Sequence, residues 1–141
     1  MPRLCRALLV VALAFAPLAT PSVAYGKPKV TWVRVDVPKG EDAGRLERAF
    51  RKALTEAAKT ASFGDDKVEL TADLKELSVS ERGGVLRVRC SATGRLVGGA
   101  SAKSHIDYGG RPGERAKLEG DVLGMVARGL VSRLAELARR R

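Results

Sequence analysis

The chain has 141 residues, of which 4% are aromatic, and its formal net charge is +10. This length fits one domain with one core and excludes a multidomain organisation. The few aromatic residues leave little surface for stacking on bases, so specific nucleic-acid binding is not expected. The positive charge suits either ordinary solubility or contact with an envelope polyanion.

Residues 1–24 have the three-part pattern of a secretory signal peptide. Two arginines precede an unbroken apolar run at 7–16, and small residues end the stretch at Ala24. The run is too short for a membrane span, which needs about 20 apolar residues. We expect cleavage before Tyr25, a periplasmic or secreted location, and a single mature domain at 25–141 with no transmembrane span.

Signal removal would leave Cys90 as the only cysteine and one histidine, so neither an internal disulfide nor a Cys/His zinc site can form. No metal or cofactor is expected. Cys90 shares the alternating phase of Leu86 and Val88, which favours a core position over a reactive thiol or a dimer link. The mature chain keeps 24 basic and 16 acidic residues, a balance of +8.

The first elements after the leader are a strand and a helix. Residues 29–37 alternate, with Val33 and Val35 on one face and Trp32 and Arg34 on the other. Apolar residues then recur at spacings of three and four over 46–61, which predicts an amphipathic helix. We expect the helices to cover the face of Val33 and Val35 and to leave Trp32 exposed.

Three further strands are predicted after this helix. Residues 68–74 alternate, but Leu77 and Val79 continue in the opposite phase, which predicts a β-bulge around Lys75 and Glu76. Residues 80–84 and 93–95 are predicted turns. The strand between the turns contains Cys90, and the last strand would cover 96–108.

The last predicted helix runs from about Ala116 to the C-terminus. Its buried positions would be Leu123, Ala127, Leu130, Leu134 and Leu137. Gly120 and Gly124 fall on one helix face, and we expect them to allow close packing on the small residues of 96–108.

The element order β-α-β-β-β-α predicts an α+β, two-layer fold with a four-stranded, mainly antiparallel sheet and two helices on one face. The opposite face is the expected interaction surface, and its residues would be Trp32, Arg34 and Val97. Its partner would be an envelope protein or a second copy. The candidate anion contacts are Arg111, which lies in a glycine-rich loop, and the terminal run of Arg139, Arg140 and Arg141.

Ser101, Lys103, His105 and Asp107 are residue types that occur in hydrolase active sites. Their spacing along one strand, however, argues against catalysis. Alternate residues of a strand lie about 6 to 7 Å apart at Cα and their side chains stand parallel, whereas a nucleophile and its base must converge within about 3 Å. We assign no catalytic residue and do not expect an enzyme.

The pattern LTADLKEL at 70–77, a turn, GGVLRVRCSATGRL at 83–96, a Gly/Ala/Ser strand and a final Ala/Leu/Arg helix resembles small envelope modules of Gram-negative bacteria. These are the α/β domains of the curli-secretion lipoproteins, of the lipoprotein activators of penicillin-binding proteins and of the TolB amino terminus. The resemblance extends over Val30 to Leu137. It implies a non-enzymatic periplasmic binding or assembly domain, although the chain lacks the acylated cysteine of those lipoproteins, since Cys5 precedes the apolar run.

Two functions remain open at this point. One is a periplasmic protein-interaction or assembly module. The other is a cationic binder of envelope polyanions such as lipopolysaccharide or anionic lipid, whose affinity should fall steeply with salt concentration.

Overall fold

The structure is a computed structural model, and it describes residues 29–64 and 66–141. The predicted signal peptide and its cleavage site lie outside the described residues. The described chain forms, in order, β1 (Val30–Asp36), α1 (Ala43–Thr60), β2 (Val68–Arg82), β3 (Val85–Leu96), β4 (Ser101–Gly110), a 3₁₀ turn (Pro112–Glu114) and α2 (Arg115–Arg139). This order and the α+β class confirm the prediction.

The four strands form one sheet in the order β1-β2-β3-β4. β1 runs parallel to β2, because α1 carries the chain back to the starting edge, while β2, β3 and β4 are joined by hairpins and pair antiparallel. The apolar phase of every strand points to the side of the two helices. The largest fully buried side chains are Phe50 and Leu54 of α1, Leu70 and Leu74 of β2, Val88, Cys90 and Leu96 of β3, and Val122, Val126, Leu130, Val131 and Leu134 of α2.

A β-bulge in β2 keeps the apolar side chains on the helix side along 15 residues. Leu74 lies opposite Ala92, whereas the next pair joins Glu76 to Ser91, so Lys75 is the extra residue. After the bulge, Leu77 and Val79 are half-buried against the core. The predicted bulge is therefore confirmed, and it places Leu77 and Val79 on the helix side of the sheet.

The predicted turn at 93–95 is wrong, because β3 continues to Leu96 and the chain turns at 97–100 instead. Gly94 is a strand residue that allows α2 to approach closely. A Cβ on Gly94 would lie 2.7 Å from Leu134 Cδ1 and 3.2 Å from Leu130 Cδ1. The turn glycine is Gly98, whose φ of +72° is a conformation that other residues rarely adopt.

The glycine that allows α2 to pack closely on the sheet is also not one of the expected pair, Gly120 and Gly124. A Cβ on Gly120 would meet nothing within 4 Å, and one on Gly124 would meet only the Arg128 side chain at 3.5 Å. Close packing of α2 on the sheet occurs one turn later, where a Cβ on Gly129 would lie 2.8 Å from Ser104 Oγ. The prediction for Gly120 and Gly124 is wrong, since both lie away from the sheet.

Candidate functional site

The face of the sheet opposite the helices, called the open face below, is lined by polar side chains. Strand pairing places Thr71 between Arg34 and Arg95, and Ser78 beside Arg89. All side chains of this phase are exposed or half-buried. The open face comprises Thr31, Arg34 and Asp36 of β1; Glu69, Thr71, Asp73, Lys75, Glu76, Ser78, Ser80 and Arg82 of β2; Val85, Arg87, Arg89, Ser91, Thr93 and Arg95 of β3; and Ser101, Lys103, His105 and Asp107 of β4.

One groove lies on the open face at the end where β2 turns into β3. We call it the hairpin groove; its volume is about 560 Å³, and it is lined by Ser78, Ser80, Arg82, Val85, Arg87, Arg89 and Asp107. The turn itself is formed by Gly83 and Gly84, both with positive φ, which fits a two-residue hairpin whose twist matches its strands. The register then sets Ser78 opposite Arg89 and Ser80 opposite Arg87.

The hairpin groove has more positive than negative side chains. Arg89 Nη2 lies 3.5 Å and Arg87 Nη1 lies 3.9 Å from the same oxygen, Oδ2 of Asp107. Within the described residues, Arg82 has no carboxylate within 4 Å. Arg87 and Arg89 thus share one carboxylate and Arg82 lies beside them without one, which leaves the lining of the groove with a formal excess of two positive charges.

A second groove, of about 410 Å³, lies at the β1 side of the open face. Its ions are largely paired, since Arg34 Nε lies 2.6 Å from Asp36 Oδ2 and Lys75 bonds to Asp73. Arg95 also lines it and has no ion pair within the described chain. Internal pairing leaves this groove much less able to attract an anion than the hairpin groove.

The prediction that Trp32 lies on the open face is wrong, and the cause is a second bulge. Trp32 pairs with Leu70 and Arg34 with Thr71, so Val33 has no partner and is 56% exposed. The extra residue reverses the phase, which puts Trp32 on the helix side with Val35. Trp32 is half-buried against the core, and its carbonyl accepts a hydrogen bond from Arg51 Nη1 at 3.4 Å.

The indole N–H of Trp32 is buried without an acceptor in the described part of the chain. Tryptophan N–H groups usually find a hydrogen-bond partner when they are buried. Apolar packing rather than hydrogen bonding therefore holds this side chain, and an exposed aromatic anchor is absent from its predicted position.

The other two predicted surface residues are accessible. Arg34 points to the open face from β1, as expected. Val97 follows the last residue of β3, is 45% exposed, and its N–H donates to the carbonyl of Glu69 at 3.0 Å. Their role in binding stays a prediction.

The predicted anion contacts lie at opposite ends of α2. Arg111 precedes the 3₁₀ turn at the start of α2, whereas Arg139 to Arg141 lie at its C-terminal end, and the 25 residues of α2 span about 37 Å. The terminal run also has structural contacts: Arg139 donates to the carbonyl of Ser62, Arg140 pairs with Glu136, and Arg141 packs against Gly99. These arginines cannot form one site with Arg111.

The polar residues of β4 lie on the open face without converging. Ser101, Lys103, His105 and Asp107 pair with Arg95, Thr93, Ser91 and Arg89 in turn. Ser101 and His105 are four strand residues apart, about 13 Å between Cα atoms, so they cannot act as a nucleophile and its base. Asp107 instead serves as the shared carboxylate of Arg87 and Arg89.

Cys90 is fully buried, as its strand phase predicts. Burial, with a smaller contribution from the nearby charge of Glu76, raises the pKa of its thiol to about 12. The thiolate, which is the reactive form of cysteine, is therefore scarce at neutral pH.

Residues 29–64 and 66–141 contain no group of three or more His, Cys, Asp or Glu side chains arranged as metal ligands. In the same ranges, no helix combines the length and the apolar character needed to cross a membrane.

The hairpin groove is the feature that sequence reasoning missed. The alternation of VLRVRC already places Arg87 and Arg89 on one outward face. The register that brings Asp107 and Arg82 beside them depends on the bulge in β2 and on the turn at 97–100. The groove therefore exists only once β2, β3 and β4 have paired, and no local pattern in the sequence shows it.

No protein-family model matches the chain, and no curated protein sequence matches it significantly. Several solved structures align with most of the chain. A candidate lipoprotein of Caulobacter crescentus is 14% identical with a TM-score of 0.44, over 75% of this chain and 87% of that one. The amino-terminal domain of Protein Y from Thermus thermophilus is 18% identical with a TM-score of 0.37, over 79% and 99%. A minor lipoprotein of Acinetobacter baumannii is 14% identical with a TM-score of 0.36, over 82% and 94%.

Proposed function

We propose that the chain is a non-enzymatic, exported module of the bacterial cell envelope that binds a partner protein through the open face of its sheet. One observation carries the proposal: both helices cover the same side of a four-stranded sheet, and the other side presents two grooves. The signal-peptide pattern of residues 1–24 supports export.

The residue types of the open face support binding. Arginine is enriched at protein interfaces and lysine is depleted, because the planar guanidinium group forms several directed hydrogen bonds. The basic residues of the open face are mainly arginines, namely Arg34, Arg82, Arg87, Arg89 and Arg95, against Lys75 and Lys103. Short hydroxyl side chains between them leave the grooves accessible.

The second candidate function is binding of an envelope polyanion. The observation that favours it is the excess of positive charge in the hairpin groove. A polyanion binder would respond to the net charge of the whole domain, whereas a protein-binding face would respond to the position of each charge.

Two variants with the same change in charge separate these functions. Arg34→Glu with Arg95→Glu alters the open face, and Arg48→Glu with Lys52→Glu alters the exposed side of α1. We expect the immobilised open-face variant to lose a partner from envelope extract at both low and high salt, while the helix variant retains it. Equal losses from both variants, restricted to low salt, would instead support the polyanion function.

A further inference from the structure

The hairpin groove has a feature that the partner-binding proposal does not use. Arg82, Arg87 and Arg89 extend into it from two neighbouring strands, and Ser78 and Ser80 line it between them. Directly opposed residues of a strand pair have Cβ atoms about 5 Å apart, so guanidinium and hydroxyl donors can contact one small group together.

The donors in this groove exceed the acceptors. Each guanidinium has five N–H groups and no acceptor, and Asp107 lies within ion-pair distance of Arg87 and Arg89 through one oxygen only. Ser78 is turned toward the inner end, where its hydroxyl donates to Glu76 Oε1 at 3.1 Å. The unoccupied donors are therefore concentrated at the turn end, around Arg82, Arg87 and Ser80.

The groove matches a small ligand in size and in charge. Its volume of about 560 Å³ falls within the range of about 300 to 1,000 Å³ that is typical of small-molecule sites. Its formal excess of two positive charges is opposite in sign and similar in magnitude to the charge of a phosphate monoester, about −1.5 to −2 near neutral pH. Arginine forks bind phosphate oxygens in pairs, and hydroxyl donors complete such sites.

We infer that the hairpin groove binds the phosphoryl group of a phosphate monoester, with Arg82, Arg87 and Arg89 as its cationic contacts and Ser80 as a hydroxyl donor. Asp107 acts as a positioning residue, because it holds Arg87 and Arg89 side by side. The phosphoryl group can belong to a lipid headgroup or to a soluble ester. This inference shares the open face with the proposed function but does not require a protein partner.

The first measurement is an NMR titration of the purified chain with inorganic phosphate against sodium chloride of equal ionic strength. We expect saturable shifts of the backbone amides of 78–82 and 85–89, and smaller shifts around Arg95. Arg87→Gln combined with Arg89→Gln should weaken phosphate binding at least about tenfold, since hydrogen bonds to charged groups are lost. The matched control Arg95→Gln removes a charge from the same strand and face and should leave the affinity within about twofold.

Two further variants distinguish the site from a general effect of charge or stability. Arg87→Lys with Arg89→Lys preserves the charge but removes the paired N–H geometry, so it should restore only part of the affinity. Melting temperatures of all variants should remain close to that of the unaltered chain, because both arginines are exposed. An equal loss in Arg95→Gln, or full restoration by lysine, would overturn the inference.

Vesicles identify the source of the phosphoryl group. Binding to phosphatidylcholine vesicles that contain phosphatidic acid, with the same variant dependence as inorganic phosphate, assigns a lipid headgroup; binding of soluble phosphate alone assigns a soluble ester. Binding of poly-glutamate without binding of phosphate would overturn the inference in favour of an acidic peptide. Partner capture by the variant with Arg87→Gln and Arg89→Gln separates the two proposals. The groove can fail to bind phosphate while partner capture persists, and partner capture can fail while the groove still binds phosphate.

Discussion

The burial of Cys90 follows from its position in β3. It lies opposite Leu77 and Ile106 in the two flanking strands, on the buried side of the sheet. Burial disfavours the charged thiolate, which raises the pKa to about 12. This buried position protects the thiol from oxidation and exchange.

We expect Cys90→Ser to lower the free energy of unfolding by about 1 to 3 kcal/mol, because a hydroxyl replaces an apolar group in the core. The native thiol should react with Ellman's reagent only after unfolding. Stability should also fall above pH 9, where the thiol of the unfolded chain ionises while the folded thiol, with a pKa of about 12, stays protonated. Urea unfolding of both forms between pH 7 and pH 10 measures this dependence, and rapid labelling of the folded chain at pH 7 would contradict it.

Glycines in this chain have opposite roles at two positions. Gly94 admits the leucines of α2 to the sheet, since a Cβ there would lie 2.7 Å from Leu134. Gly120 lies in α2 and is exposed, with open space around the Cβ position.

Alanine substitution should therefore destabilise the fold at one glycine and stabilise it at the other. Gly94→Ala should cost about 1 to 3 kcal/mol through overpacking, whereas Gly120→Ala should stabilise by about 0.5 to 1 kcal/mol through higher helix propensity. Urea midpoints of the two variants give the comparison. Two shifts in the same direction would contradict the account of α2 packing.

At the scale of elements, two bulges determine which side chains face the helices. The bulge at Lys75 keeps Leu77 and Val79 on the core side, and the bulge at Val33 moves Trp32 to that side. Each inserts one residue into a strand, which exchanges the faces of all residues after it.

Trp32→Ala should consequently affect stability and not binding. Loss of a half-buried aromatic side chain from the core edge should lower the free energy of unfolding by about 2 kcal/mol or more. Capture of a partner by the folded variant should equal that of the unaltered chain. A variant with unchanged melting temperature and weakened capture would show that Trp32 belongs to the binding surface.

The sequence predicted the elements, their order and the bulge in β2, because periodicity changes there within one strand. It did not predict the bulge in β1, because Val33 has the same alternating phase as Val35, which predicts a common face; pairing with β2 shows that Val33 is the extra residue. It also placed a turn at Gly94, because a glycine that admits a neighbouring helix and a glycine that turns the chain look alike in sequence. The hairpin groove was not predicted, because the strand alternation puts Arg87 and Arg89 on one face but only strand pairing brings Asp107 beside them.

At the scale of the whole molecule, the fold separates the side chains that form the core from those of the proposed binding surface. The apolar phases of all four strands are used by the two helices, and the polar phases form the open face. Substitutions on the open face can therefore change binding with little effect on folding, as surface substitutions usually change stability by less than about 0.5 kcal/mol.

Site-specific photo-crosslinking in living cells tests the central claim, that the open face is the binding surface, most directly. The crosslinking residue would replace Ser80, Thr93 or Lys103 on the open face, and Lys52 or Arg128 on the exposed sides of the helices. The account predicts discrete adducts from the open-face positions and none from the helix positions. Adducts from the helix positions alone, or none from any position in a correctly exported chain, would contradict it.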